Sequence, residues 1–424
     1  MNEYLERVGF SLSLRSPQFF KHVVRRELYR RCEKPDGTTD PEDVHKVAVK
    51  MANSYVSVLD ANQNLFNFPE LIVHIKNIRM QPFGTAAGMD KNGDALIPFS
   101  YIFGFQTIGT VIVDAREGND QPRVAVDNKK EDAYNAQGFP SKGKDYMINK
   151  LQLYRRSSAP QKPIIASICG LPHVIMEQGT ASFVPNKNRA VINRSNNTVV
   201  YKEFADVQET ELERALYNAY VDTEILLHEL DPYVDGFEWN PFSPNTKTLG
   251  LLRNPETFTQ YSKLLREKAG NRLIMVKMGP YDPDGEQAWL RLINSFLKHG
   301  DGITAVNTYM VQKYQVPSAK WGYPSAGRSG KFLRPYRLRS VGDARNVFPD
   351  AIIFGTGGIS DGSDAYNTFK YGADAVEGYT PFTYHGLGLN RKLMEGVSRS
   401  MQKDGHKSLK DLHHEVKNRF RYAG

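Results

Sequence analysis

Short apolar runs along this chain alternate with longer stretches whose apolar positions recur every three or four residues. Eight runs have the length and the β-branched or aromatic content of strands. They cover residues 78–85, 105–111, 163–169, 234–240, 273–279, 302–308, 351–357 and 375–380. Each is followed, usually after a loop, by a stretch with helical periodicity. Eight strand-then-helix units predict an α/β chain folded as a closed (β/α)8 barrel, with its site at the C-terminal ends of the strands.

Such a barrel needs about 250 residues and tolerates insertions. That places an N-terminal helical segment at 1–75, the barrel at 76–424, and an insertion near 171–205. Residues 17–32 alternate apolar and basic positions at near-helical spacing. Thr39-Asp40-Pro41-Glu42 then starts a second helix, with a polar cap, an early proline and acid in the first turn. Val44, Val47, Val49 and Met51 partly line it. Two basic amphipathic helices either dock on the barrel or dip into a membrane interface. After the third run, 171–199 reads as a long polar excursion with Asn186, Asn188, Asn193, Asn196 and Asn197, followed by a helix over 210–230. An excursion of this length serves as a lid or as surface decoration.

Composition narrows the picture. With 40% hydrophobic and 24% charged residues, the chain is of ordinary globular type. No apolar run reaches the roughly 18 residues of a membrane span, and no secretory signal precedes the first helix. Cys32 and Cys169, the two cysteines, form neither a disulfide framework nor a metal motif, which fits a reducing, intracellular setting. The net charge of +8 is spread out, without basic clusters interleaved with aromatics, and so argues against nucleic-acid binding. No metal site is expected from the ten histidines. Gly-x-Ser-x-Gly and His-Glu-x-x-His are both absent.

The chemistry gathers at strand ends. The first run ends in Thr85-Ala86-Ala87-Gly88-Met89-Asp90-Lys91-Asn92-Gly93, where small residues admit a flat ligand and Lys91 offers a charge. Asn135-Ala136-Gln137-Gly138-Phe139-Pro140 supplies an amide and a Gly-Phe turn. Asn240-Pro241-Phe242-Ser243-Pro244-Asn245-Thr246 follows the fourth run and presents amides and hydroxyls on a stiff loop. Lys277 interrupts an apolar strand, where a lysine needs an anionic partner. Asn307-Thr308 ends the sixth run. Ser329-Gly330-Lys331, Gly357-Gly358 and Tyr379-Thr380 lie near the last two strands, the usual phosphate site of such barrels. Each motif has a bland reading by itself, as a packing turn, a Pro-rich loop or a surface lysine; their order along the chain is what favours a site.

Taken together, these motifs resemble the dihydroorotate dehydrogenase family, from about Asp40 to about Gly396. Residues 86–93 are similar to its A-A-G-x-D-K-x-G, Glu117-Gly118-Asn119 with Pro122-Arg123-Val124 to E-G-N-x-x-P-R-V, 135–139 to N-x-x-G-F, and 240–246 to N-x-x-S-P-N-T. Lys277, Asn307-Thr308, Ser329 to Arg334, Gly357-Gly358 and Tyr379-Thr380 fall in the expected order.

The resemblance implies a noncovalent FMN in the barrel mouth. Ser329, Gly330, Gly357, Gly358, Tyr379 and Thr380 would hold its phosphate side, and Ala86, Ala87, Gly88, Thr110 and Lys277 its ring system. Dihydroorotate, the substrate oxidised to orotate, would meet Lys91, Asn135, Gly138, Phe139, Asn240, Asn245, Asn307 and Thr308. Ser243 would be the base, Thr246 its proton relay, and Lys277 the stabiliser of the reduced ring.

Ser243 and Asp40-Pro41-Glu42-Asp43-Val44-His45 resemble the membrane-associated, quinone-reducing class, which implies quinone as acceptor and peripheral contact with a cytoplasmic or mitochondrial inner membrane through the N-terminal helices. Val126 stands where that class carries a tunnel arginine. Gly138-Phe139-Pro140 and Ser167-Ile168-Cys169-Gly170 look more like the soluble class, and the 171–199 segment fits neither. Two other readings stand beside this one: a related FMN oxidoreductase acting on another pyrimidine or with a soluble acceptor, and a catalytically silent barrel that binds a phosphorylated ligand.

Overall fold

Eight parallel strands close into a barrel in the computed structural model, which describes residues 3–176, 179–182, 191–193, 198–200, 209–243 and 246–421. In chain order they are β1 (Phe83–Thr85), β2 (Phe105–Val111), β3 (Ile164–Ile168), β4 (Gly236–Trp239), β5 (Leu273–Met278), β6 (Gly302–Ala305), β7 (Ile352–Thr356) and β8 (Ala375–Gly378). Each pairs with the next, and β8 returns to β1 through Val376↔Phe83 and Gly378↔Thr85. Closure removes the unpaired edges an open sheet would expose.

Every expected run contains a barrel strand. The first divides in two: Ile78–Met80 turns back on Val73–Ile75 as an antiparallel hairpin, and β1 begins only at Phe83. The physical reason lies in the sequence. Ile78-Arg79-Met80 alternates buried and exposed, as one-sided strands do, whereas β1 is buried throughout. Pro82 between them has no N–H to give to a ladder.

Outside the barrel, β4 shows how the layers lock together. Trp239 stacks on Tyr261 (centroids 4.4 Å apart) and meets Phe258 (5.0 Å), both on the helix Pro255–Ala269. That helix starts where Asn254 accepts a hydrogen bond from Thr257 N (2.9 Å) and ends at Gly270 with φ +55°. Large aromatic surfaces buried this way dominate the packing energy.

Two features went beyond the sequence reading. A four-stranded antiparallel sheet, ordered Tyr309–Gln312, Ser325–Gly330, Asp132–Asn135, Val124–Asp127, stands beside the barrel mouth. The 171–199 excursion is not wholly irregular. His173–Met176 pairs with Gly179–Ser182, and Val191–Asn193 with Thr198–Val200, before the helix Glu209–Leu230. Asn186, Asn188, Asn196 and Asn197 lie outside the described residues.

The N-terminal region is helical: Glu3–Arg15, then Pro17–Phe19 running through a π-helical turn (Phe20–Val24) into Arg25–Arg31, then Pro41–Ser54. Asp40 caps the last by accepting from Glu42 N at 2.9 Å. These helices dock beside the mouth. Lys21 pairs with Glu131 (2.5 Å), and Arg25 Nε donates to Thr383 O (3.0 Å). Their outer face still shows Tyr4, Leu5, Val8, Leu12 and Val23 to solvent.

Candidate active site

A cavity of about 1510 Å³ opens at the C-terminal ends of the strands. On one side its wall is nearly bare backbone. Gly330, Gly357 and Gly358 have φ of +98°, +91° and +70°, where a side chain is strained. A Cβ on Gly358 would stand 2.4 Å from Arg334 N, and one on Gly330 the same distance from Glu131 O. Ser329 and Thr380 close this side with hydroxyls 2.9 Å apart.

The opposite side is a chain of amides and hydroxyls. Asn307 Nδ2 donates to Asn240 Oδ1 (3.2 Å) and to Phe242 O (3.1 Å), while Asn307 Oδ1 accepts from Thr308 N (2.8 Å). Asn240 Nδ2 donates to Thr110 Oγ1 (2.8 Å), whose hydroxyl lies 3.1 Å from that of Ser167. Asn135 Nδ2 donates to Gly327 O (3.1 Å), which fixes its amide on the neighbouring sheet. Gly138 and Phe139 both adopt positive φ, +68° and +56°. A bulky residue rarely does so, and the turn is held tight against the cavity wall.

Two lysines complete the wall. The loop that carries Lys91 is pinned by Asp90, whose carboxylate accepts from Asp94 N (2.8 Å) and Ala95 N (2.9 Å). Burial pushes Lys91 down to about 8, with the Arg123 charge adding to the fall and Glu42 opposing it. Lys277 lies on the barrel floor, 3.7 Å from Glu238.

Three further residues belong here that the motifs did not single out as site residues. Glu42, from the helix Pro41–Ser54, accepts from Arg123 Nε at 2.8 Å across the mouth. Burial favours its neutral form, but Arg123 and the Lys91 charge hold it below the usual carboxylate range. His45, one turn on, lies against Tyr379 (ring centroids 5.8 Å) and is pushed down to about 4 by burial and the Lys91 charge, so it is neutral at physiological pH. Arg116 also lines the cavity. Among the described residues its guanidinium nitrogens are buried without partners, and burial lowers it to about 10. The Asp-Pro-Glu-Asp-Val-His string carried the first two. An arginine beside Glu-Gly-Asn gave no comparable signal for the third.

The cavity therefore gathers Ala86, Ala87, Gly88, Lys91, Thr110, Asn135, Gly138, Phe139, Asn240, Ser243, Lys277, Asn307, Thr308, Ser329, Gly330, Gly357, Gly358, Tyr379 and Thr380. Thr246 is not on this wall; its hydroxyl is buried and, among the described residues, unpartnered. Asn245 lies outside the described residues.

Fold and mouth together define a (β/α)8-barrel enzyme. The family model described as dihydroorotate dehydrogenase matches residues 70–401, and the chain belongs to that family of oxidoreductases. It is 27% identical over 398 residues to "Dihydroorotate dehydrogenase (quinone)" of Helicobacter acinonychis, covering 91% of this chain and 98% of that one. It is 26% identical over 341 residues to "Dihydroorotate dehydrogenase (quinone), mitochondrial" of Arabidopsis thaliana, covering 77% and 69%. Among solved structures, DHODH from Eimeria tenella in complex with ferulenol superimposes with a TM-score of 0.69 at 22% identity, over 89% of this chain and 96% of that one.

Proposed function

We propose that the chain oxidises dihydroorotate to orotate in pyrimidine synthesis and passes the electrons through FMN to a quinone. One observation carries the reading: the bare glycine wall, the amide chain, Lys91 and Lys277 all face one cavity. Dihydroorotate dehydrogenases generally use FMN. The residues present suit it. A phosphate wants backbone N–H groups unobstructed by side chains, and Gly330, Gly357 and Gly358 leave the backbone bare beside Ser329, Tyr379 and Thr380. Ala86, Ala87, Gly88 and Thr110 would give a flat ring room to lie, and Lys277 would stand beside it. Bound there, FMN supplies the hydride acceptor.

The chain's own residues do the rest. Lys91 meets the substrate carboxylate, and Asn135, Asn240, Asn307 and Thr308, with the turn at Gly138 and Phe139, meet its amide edges. Ser243 takes the C5 proton. Thr246, three residues beyond Ser243, is the proposed next proton carrier; its hydroxyl is buried and, among the described residues, has no partner.

The acceptor reading rests on the relatives' names and on the cavity's extent. Its lining includes Phe20, Leu28, Val44 and Ala48 from the N-terminal helices, and Val126. The same N-terminal region exposes Leu5 and Leu12 to solvent. No described helix is long and apolar enough to cross a membrane, so the proposed contact is peripheral, on a cytoplasmic or mitochondrial inner membrane. The test is direct: purified protein should be yellow, release FMN on denaturation, and bleach with dihydroorotate under anaerobic conditions. FAD, no flavin, or no bleaching would refute the reading.

A further inference from the structure

Beneath the cavity, the barrel floor holds more charge than the proposed chemistry uses. Glu238 on β4, Lys277 on β5 and Glu377 on β8 are 1%, 4% and 2% exposed. Lys277 and Glu377 line the cavity. Lys277 Nζ stands 3.7 Å from Glu238 Oε1, beyond a direct hydrogen bond. Thr107 donates to Glu377 Oε1 at 2.5 Å. Both carboxylate oxygens of Glu238, and Oε2 of Glu377, have no hydrogen-bond partner among the described residues.

Two carboxylates and one ammonium, all ionised, would leave one excess negative charge buried with unpaired oxygens. Such a charge is expensive in a barrel interior. A single proton on either carboxylate makes the trio neutral and removes the excess buried charge.

We propose that Glu238 and Glu377 form a proton-holding pair, which with Lys277 keeps one proton on the barrel floor at neutral pH and takes a second from solvent when negative charge enters the cavity above. Burial and the Glu238 charge push Glu377 well above the ordinary carboxylate range, against the pull of Lys277 and the Thr107 hydroxyl; Glu238 and Lys277 are the charged groups acting on it. The second half of the proposal rests on the flavin reading. A hydride brings two electrons and one proton to a neutral ring and leaves it one negative charge. With the trio already neutral, one solvent proton on the pair balances that charge. Glu377 and Glu238 thereby act on the cofactor's potential as positioning residues, without touching the substrate.

Infrared spectroscopy of the intact protein, with and without its flavin, tests the first half. Wild type should show an un-ionised carboxylic acid band at neutral pH that titrates away on the alkaline side. Glu377→Gln and Glu238→Gln should each lose it at neutral pH, because the single remaining carboxylate ionises against Lys277. The pH dependence of the flavin midpoint potential tests the second half. Its slope should be steeper in wild type than in the double variant Glu238→Gln/Glu377→Gln by one proton per two electrons, a difference that a merely structural residue would not produce. No acid band in wild type at neutral pH, or equal slopes, overturns the proposal. If the variants do not fold, the wild-type band decides. A protein without flavin would overturn the functional reading and leave the band to report on the pair.

Discussion

Glu42 is where the N-terminal helix grips the site, and Glu42→Gln measures that grip. Its carboxylate accepts from Arg123 Nε (2.8 Å) and Nη2 (3.3 Å), Gln121 Nε2 (3.1 Å) and Gln137 Nε2 (3.1 Å). The Arg123 and Glu42 side chains retain only 12% and 13% exposure, so solvent screens the pair weakly. Breaking a fully buried pair costs about 3–5 kcal/mol. The amide keeps the shape and one acceptor oxygen, so the expected loss is nearer the roughly 1.5–3 kcal/mol of one charge-assisted bond. A second effect follows from charge. Glu42 is the group that opposes the fall of Lys91 to about 8. Without it, Lys91 loses its proton at lower pH, and the protonated form is the one that holds a carboxylate. The alkaline limb of kcat/KM should therefore move toward neutral pH, through KM rather than kcat. Urea unfolding and anaerobic flavin reduction across the neutral to alkaline range read the two effects. An unchanged unfolding midpoint together with an unmoved limb would refute the reasoning.

Ser243→Ala should keep FMN and slow its reduction by dihydroorotate about 10²- to 10⁴-fold, as for loss of a general base, while Ser243→Cys retains part of the rate; normal stopped-flow reduction in the alanine variant removes Ser243 from the mechanism. Lys91→Ala gives up a charge-assisted contact of about 1.5–3 kcal/mol, so KM should rise about 10- to 150-fold, and a normal KM counts against a carboxylate-bearing substrate. Leu5→Glu with Leu12→Glu should abolish co-sedimentation with anionic vesicles yet preserve turnover with a short-chain quinone; undiminished vesicle binding places any membrane contact elsewhere.

The barrel was legible because its strands, buried on both faces, read as unbroken apolar runs such as Leu273–Met278. The hairpin at Ile78–Met80 was hidden inside one of those runs, since three residues of alternation are too few to stand out. The antiparallel sheet beside the mouth escaped for a related reason: Ser325–Gly330 is Ser-Ala-Gly-Arg-Ser-Gly, with almost no strand character, and its neighbours hold it in place. The strand-end motifs stood out in the sequence, and most of the residues they named line one cavity. Arg116 was not, because nothing local distinguishes a guanidinium that tertiary packing leaves buried and unpartnered among the described residues. The N-terminal helices showed their amphipathic pattern but not their target; Glu42 and His45 reach the cavity only because Lys21, Arg25 and Arg123 fix the docking.

Acceptor choice after flavin reduction tests the central claim most directly. Protein is reduced anaerobically with one equivalent of dihydroorotate and then mixed in separate syringes with a short-chain quinone, fumarate or NAD, while the flavin absorbance is followed. Dihydroorotate should bleach the flavin, and quinone alone should restore its absorbance quickly. Failure to bleach, or faster recovery with fumarate or NAD than with quinone, would contradict the claim.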